Sequence, residues 1–288
     1  MSATKTLGTY SSLVKLSHTV FALPFALAAV VLASAYEPVT TKKVVLIVLC
    51  VAAARTAAMA FNRLVDRDID AKNPRTQDRE LPRGALTVGQ VRALVVASSG
   101  VFILGAGLLG PLPLMLSPIA LGLALGYSYT KRFSALCHLV LGAAIALAPG
   151  GAWIAMGAPV NAAPWLLVLG VACWVGGFDV LYSLQDQGFD EGEKLHSIPV
   201  ALGVKGALWA SGLLHVVTAS CLVAVGLILG RGPAYMVGTG LVTLLLAYEH
   251  AIVKPSDLSR INKAFFDING YVSVAFFLCV LVDQLLAG

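Results

Sequence analysis

Charge is what this chain has least of. Asp, Glu, Lys and Arg make up 12% of its 288 residues, where soluble domains carry about 25%. Apolar types reach 58% and are spread over the whole length. A soluble globular domain and a disordered chain are both excluded. Cysteine is scarce and poorly placed for chemistry. Cys50, Cys137, Cys173, Cys221 and Cys279 are odd in number, lie in apolar stretches and lack metal-ligand spacing. They read as small buried apolar residues, which excludes a disulfide scaffold. The five histidines are equally scattered, so no zinc site is expected. Strand-like alternation is also missing, and a membrane barrel would require it. What remains is an all-α, polytopic membrane protein.

Nine apolar runs fit spans of about 20 residues. They cover 19–35, 44–64, 91–109, 112–129, 135–156, 164–184, 207–229, 234–248 and 265–286. The eighth is short, and only Gly110 and Pro111 separate the third from the fourth. Ala33-Ser34-Ala35 resembles a signal-peptide cleavage site. The apolar run before it is long for a signal peptide, however, so it is read as a span. No internal boundary is visible, and residues 1–288 read as one transmembrane domain.

With the N-terminus inside, 16 of the 20 basic residues fall on the cytoplasmic side. Lys42, Lys43 and Arg231 fall on the other, and Arg55 lies within a span. That asymmetry matches the positive-inside rule. It puts both long loops, 63–90 and 185–205, in the cytoplasm. The formal charge of +5 then reflects loops beside anionic lipid and gives no reason to expect nucleic acid. The pattern fits a bacterial inner membrane.

The acids are clustered. Ten of 15 lie in or beside the two long loops. Asn62, Asp66 and Asp70 are spaced four apart, which on a helix stacks them on one face. Asp186 and Asp190 repeat the spacing 120 residues later. Each pair follows an even-numbered span, which points to a duplicated unit. Stacked carboxylates repel unless a cation lies between them, and oxygen-only donors suit Mg²⁺ with substrate phosphates. Solvated helix ends are the plainer reading of one pair alone, but two pairs in matching places favour a site.

Arg55 precedes Asn62 by seven residues, on the same face and about 10 Å deeper. A charge within the hydrocarbon is a functional candidate, although a structural partner for a buried acid is the alternative. Lys131 and Arg132 close the fourth span, and Lys15 precedes the first; for these, anchoring at the interface is the alternative. Carboxylates, Mg²⁺ and basic groups together form a diphosphate site at a membrane face. A ligand with a diphosphate head and a hydrocarbon remainder suits that position, and an isoprenyl diphosphate has both. Loss of diphosphate leaves an allylic cation, which apolar walls would shield from water and Tyr182 would stabilise through cation–π contact.

These residues resemble the intramembrane aromatic prenyltransferase family typified by 4-hydroxybenzoate polyprenyltransferase. The match runs from Arg55-Thr-Ala-Ala-Met-Ala-Phe-Asn62 through Asp66 and Asp70 to Asn73-Pro-Arg-Thr76. It continues in Arg79-Glu-Leu-Pro82-Arg-Gly84, Tyr127-Ser-Tyr129-Thr-Lys131-Arg132, Asp186-x3-Asp190, His196-Ser-Ile-Pro199 and Gly203. The resemblance implies nine helices around a central cavity. It implies Mg²⁺ held by Asp66, Asp70, Asp186 and Asp190 with help from Asn62, and diphosphate contacts from Arg55, Lys131 and Arg132. The implied partners are a polyprenyl diphosphate, a small aromatic acid and membrane lipid; an oligomeric state is not readable. Asp186 would be a base or an orienting group. Asp68, Gly188-Phe189 and Cys137-His138 depart from the family pattern. They keep open a naphthoate acceptor in menaquinone biosynthesis beside 4-hydroxybenzoate in ubiquinone biosynthesis. A small transporter and a non-catalytic lipid-binding scaffold are the rivals from other classes.

Overall fold

The computed structural model describes residues 3–14 and 19–287. Among them the regular structure is helical, apart from one isolated bridge between Lys254 and Asp257. The helices are α1 (Ala3–Leu13), α2 (Thr19–Ala33), α3 (Thr41–Lys72), α4 (Val88–Leu109), α5 (Pro111–Thr130) and α6 (Cys137–Met156). There follow α7 (Ala162–Ser183), a 3₁₀ turn (Leu184–Asp186), α8 (Gln187–Gly192), α9 (Ile198–Ile228) and α10 (Pro233–Ile252). The chain ends with α11 (Ile261–Lys263), a π turn (Ala264–Ile268) and α12 (Asn269–Ala287). Among the described residues, eight helical segments are long and apolar enough to cross a membrane. The first expected span is a shorter apolar helix, Phe21–Ala33. The protein is a multi-pass helical membrane protein.

The chain falls into two compact units, Met1–Thr19 with Val45–Tyr129, and Val20–Val44 with Thr130–Gly288. The first unit is organised on α3. Its 32 residues span roughly 48 Å at 1.5 Å per residue, more than the ~30 Å hydrocarbon layer. Its C-terminal turns therefore extend beyond the apolar run, and they carry Asn62, Asp66 and Asp70. The sequence pattern placed a loop from residue 63; the helix instead continues to Lys72 before the chain turns. Leu13 and Val14 pack with Ala60 of α3, Leu86 and Val91. α4 starts with a reciprocal cap in which the Gln90 amide donates to Thr87 Oγ1 (3.2 Å) and the Thr87 amide donates to Gln90 Oε1 (2.9 Å). α4 and α5 are joined by Gly110 alone, at φ 145° and ψ 175°, a conformation that essentially only glycine adopts.

In the second unit α7 is the most enclosed helix. Val171, Trp174, Val175 and Val180 are fully buried. Helix α6 reaches it closely, and a Cβ on Gly142 would lie 2.2 Å from the Ala172 carbonyl oxygen. Small residues permit this approach, as in other membrane helix pairs. α9 begins with Ser197 as its cap and Pro199 in its first turn, then breaks at Gly203 (φ 66°, ψ 177°). Beyond the π turn, Asn269 Nδ2 donates to the Ala264 carbonyl at 3.1 Å, which satisfies a backbone group that the irregular turn frees. At the far end of α10, Asp283 accepts from the amides of Gly232 and Tyr235 and pairs with Arg231 at 3.1 Å.

Candidate functional site

The first motif is built by helical spacing. Asn62 Nδ2 donates to Asp66 Oδ2 at 3.0 Å and reaches Ser128 Oγ at 3.5 Å. Asp66 and Asp70 are only 2% and 4% exposed, and buried carboxylates require a cation or strong donors. Arg79 supplies one: its Nη1 lies 2.7 and 2.8 Å from the two oxygens of Asp70. The loop after α3 folds back to place it there. Thr76 Oγ1 donates to the Asp70 carbonyl (3.1 Å), and the Arg75 amide donates to Asn73 Oδ1 (2.8 Å). Asp68, the additional acid, is exposed and pairs with Arg67 at 3.1 Å, away from this face. Arg55 Nη1 donates to the carbonyl of Val14 at 3.1 Å. Lys15 lies outside the described residues.

The second motif is built differently. Asp186 ends the 3₁₀ turn with φ −102° and ψ 0°, and Asp190 lies in α8. The four-residue spacing is therefore not carried on one continuous α-helix, a correction to the uniform stacking expected from spacing. Both acids are half-buried, as are Lys131 and Arg132. Lys131 and Asp186 both lie within electrostatic reach of Asp190, and Ser197 hydrogen-bonds its side chain. Tyr182 stacks on Phe265, with centroids 4.1 Å apart.

The tail of this loop is held at several points. The Leu195 amide donates to the Asp190 carbonyl (2.8 Å), and the His196 amide donates to the Lys131 carbonyl (2.7 Å). Cys137 Sγ donates to the His196 carbonyl (3.4 Å). His138 contacts Asp179 Oδ2 through Nδ1 at 2.6 Å, while the Ile198 amide donates to its Nε2 at 3.3 Å. Sequence reasoning missed the role of His138 and Asp179, because residues 41 apart show no shared pattern. It also missed a buried network in which Trp174 Nε1 donates to Asn269 Oδ1 (2.7 Å) and Asn269 Nδ2 donates to Glu249 Oε1 (2.9 Å). The only signal for that network was a Glu inside an apolar run.

Long apolar helices with buried or half-buried oxygen donors and cations near their ends make this a membrane protein with its charge gathered at helix termini. Its kinship is specific, for the chain belongs to the UbiA prenyltransferase family, whose model matches residues 22–278. It is 31% identical over 229 residues to a 4-hydroxybenzoate octaprenyltransferase of Aromatoleum aromaticum, covering 80% of this chain and 77% of that one. With the same-named protein of Nitrosomonas europaea it shares 33% over 238 residues, covering 80% and 78%. Among solved structures, a UbiA homolog from Aeropyrum pernix K1 superposes with a TM-score of 0.85 at 35% identity, over 92% of this chain and 98% of that one. A UbiA homolog from Archaeoglobus fulgidus bound to GPP and Mg²⁺ shares the fold, with a TM-score of 0.71 at 18% identity over 95% and 99%. The protein is thus an integral membrane prenyltransferase.

Proposed function

We propose that this enzyme moves a polyprenyl group from polyprenyl diphosphate to a ring carbon of 4-hydroxybenzoate, a step of ubiquinone biosynthesis, with Mg²⁺ as its metal. The observation that carries the acceptor is the shared name of the relatives at 31% and 33% identity, which are 4-hydroxybenzoate octaprenyltransferases. The donor set fits the metal, since Asn62, Asp66, Asp70, Asp186 and Asp190 present only oxygen and amide groups. Asp66, Asp70, Asp186 and Asp190 serve as its ligands, assisted by Asn62. When bound, the metal neutralises charge growing on the departing diphosphate.

Arg55, Lys131 and Arg132 are assigned to the diphosphate, which they hold by charge-assisted hydrogen bonds. Phe265 covers one face of Tyr182, so a cation–π role for Tyr182 uses the opposite face. The allylic cation left by diphosphate departure is attacked by the activated ring, and the ring then loses its proton. The whole chain, 1–288, works as one domain with nine membrane helices. Its N-terminus and both acidic loops lie on the cytoplasmic side of a bacterial inner membrane.

Product mass spectrometry tests the reading. Membranes containing the protein receive one prenyl diphosphate and a panel of aromatic acids. Prenylated 4-hydroxybenzoate is expected, and Asp66→Ala or Asp186→Ala abolishes it while the helical circular dichroism persists. A naphthoate as the only product overturns the acceptor. Mg²⁺-dependent turnover retained in both variants overturns the site.

A further inference from the structure

Arg79 is placed as a bound cation would be. A single nitrogen, Nη1, lies almost equidistant from both oxygens of Asp70, at 2.7 and 2.8 Å. That is the position a metal takes on a bidentate carboxylate. We propose that Arg79 is the resident counter-cation of Asp70, which the metal must displace, so that this pair sets the affinity of the first motif for metal. The inference rests on the reading of Asp66 and Asp70 as metal ligands.

Three observations support an exchange in which Arg79 is the partner that moves. The side chain of Asp70 is 6% exposed and that of Arg79 is 24% exposed, so the arginine has accessible space to enter. Arg79 also belongs to a loop with contacts of its own: Thr76 Oγ1 ties it to the Asp70 carbonyl of α3, and within the loop the Leu86 amide donates to the Glu80 carbonyl. Its departure therefore need not unfold the loop. Finally, Arg63 lies in the same charge cluster, buried at 5% exposure with its Nε unpaired. Adding a dication beside two guanidiniums is repulsive, and release of the more exposed one, Arg79, relieves that repulsion.

Arg79 acts through Asp70 and is a positioning residue. Its removal leaves a buried carboxylate without its counter-charge, which sharpens that carboxylate's demand for another cation. The test measures Mn²⁺ binding by electron paramagnetic resonance on the purified full-length protein in detergent, without prenyl diphosphate. Arg79→Gln and Arg79→Ala are expected to bind Mn²⁺ about tenfold more tightly than the parent, the scale of one lost charge-assisted contact. Arg79→Lys, which keeps the charge, stays near the parent. In an Asp70→Asn background the Arg79→Gln effect vanishes, because its target is gone. Equal or weaker Mn²⁺ binding in the Gln and Ala variants overturns the inference. So does an Arg79→Gln effect that persists with Asp70→Asn. If the parent shows no measurable binding, Arg79→Gln must bring it into range, and failure to do so also overturns the proposal. A different result tests the underlying reading: parental Mn²⁺ binding in Asp66→Ala and Asp70→Asn refutes the assignment of those ligands, whatever Arg79 does.

Discussion

His138 has both ring nitrogens engaged. The Ile198 amide donates to Nε2, so the ring proton resides on Nδ1 and is directed at Asp179. One imidazole thereby joins the start of α6, the C-terminal part of α7 and the first turn of α9. Replacing it with leucine removes both contacts, whereas glutamine can still donate to a carboxylate and accept an amide. His138→Leu is expected to speed amide hydrogen exchange over residues 195–203 and to lower prenyl transfer through kcat. His138→Gln is expected to restore much of both; equal exchange in the two variants would show that the contact holds nothing. At this scale legibility followed spacing. Asn62, Asp66 and Asp70 could be found because one helix carries all three. The partnership of Asp70 with Arg79 could not, because a folded loop creates it. Asp179 was visible only as one more acid near the second loop.

Helix lengths were readable where apolar runs end on charge. The core of α3 was evident, but its continuation to Lys72 was not, since Arg63, Asp66, Arg67, Asp68 and Asp70 look like a loop by polarity. Helix α9 begins at Ile198, nine residues before the apolar run at Ala207, for a related reason. Ser197 and Pro199 start a helix that Gly203 then interrupts, and composition averages across the break. The separation of the third and fourth runs by Gly110 and Pro111 survives as two helices. Gly110 makes this possible through its backbone alone, because a Cβ there would meet only Pro113 Cδ at 3.8 Å. Gly110→Ala is therefore expected to cost about 1–3 kcal/mol through strain without a clash, seen as a lower unfolding midpoint in detergent. An unchanged midpoint would mean that the turn relaxes freely.

The proposed topology rests on the distribution of charge over the whole molecule. Sixteen of 20 basic residues on one side, when nine spans are counted, ties the orientation to the span number. On a cysteine-free background, single cysteines at Asp78 and Glu193 are expected to react with an impermeant maleimide only from the cytoplasmic side. One at Pro159 is expected to react only from the other side, and labelling of all three from one side would break the topology. What composition could not reveal at this scale was the division into two compact units, since no linker or change in polarity marks residues 129 and 130. The single-residue joint at Gly110 has a further consequence, for biosynthesis. Two apolar helices with no polar stretch between them offer the membrane-insertion machinery no loop to hold on either side. α4 and α5 are therefore expected to enter the bilayer together as a hairpin, so a nascent chain truncated at Gly110 should leave α4 poorly integrated, and one extended through Thr130 should restore its integration.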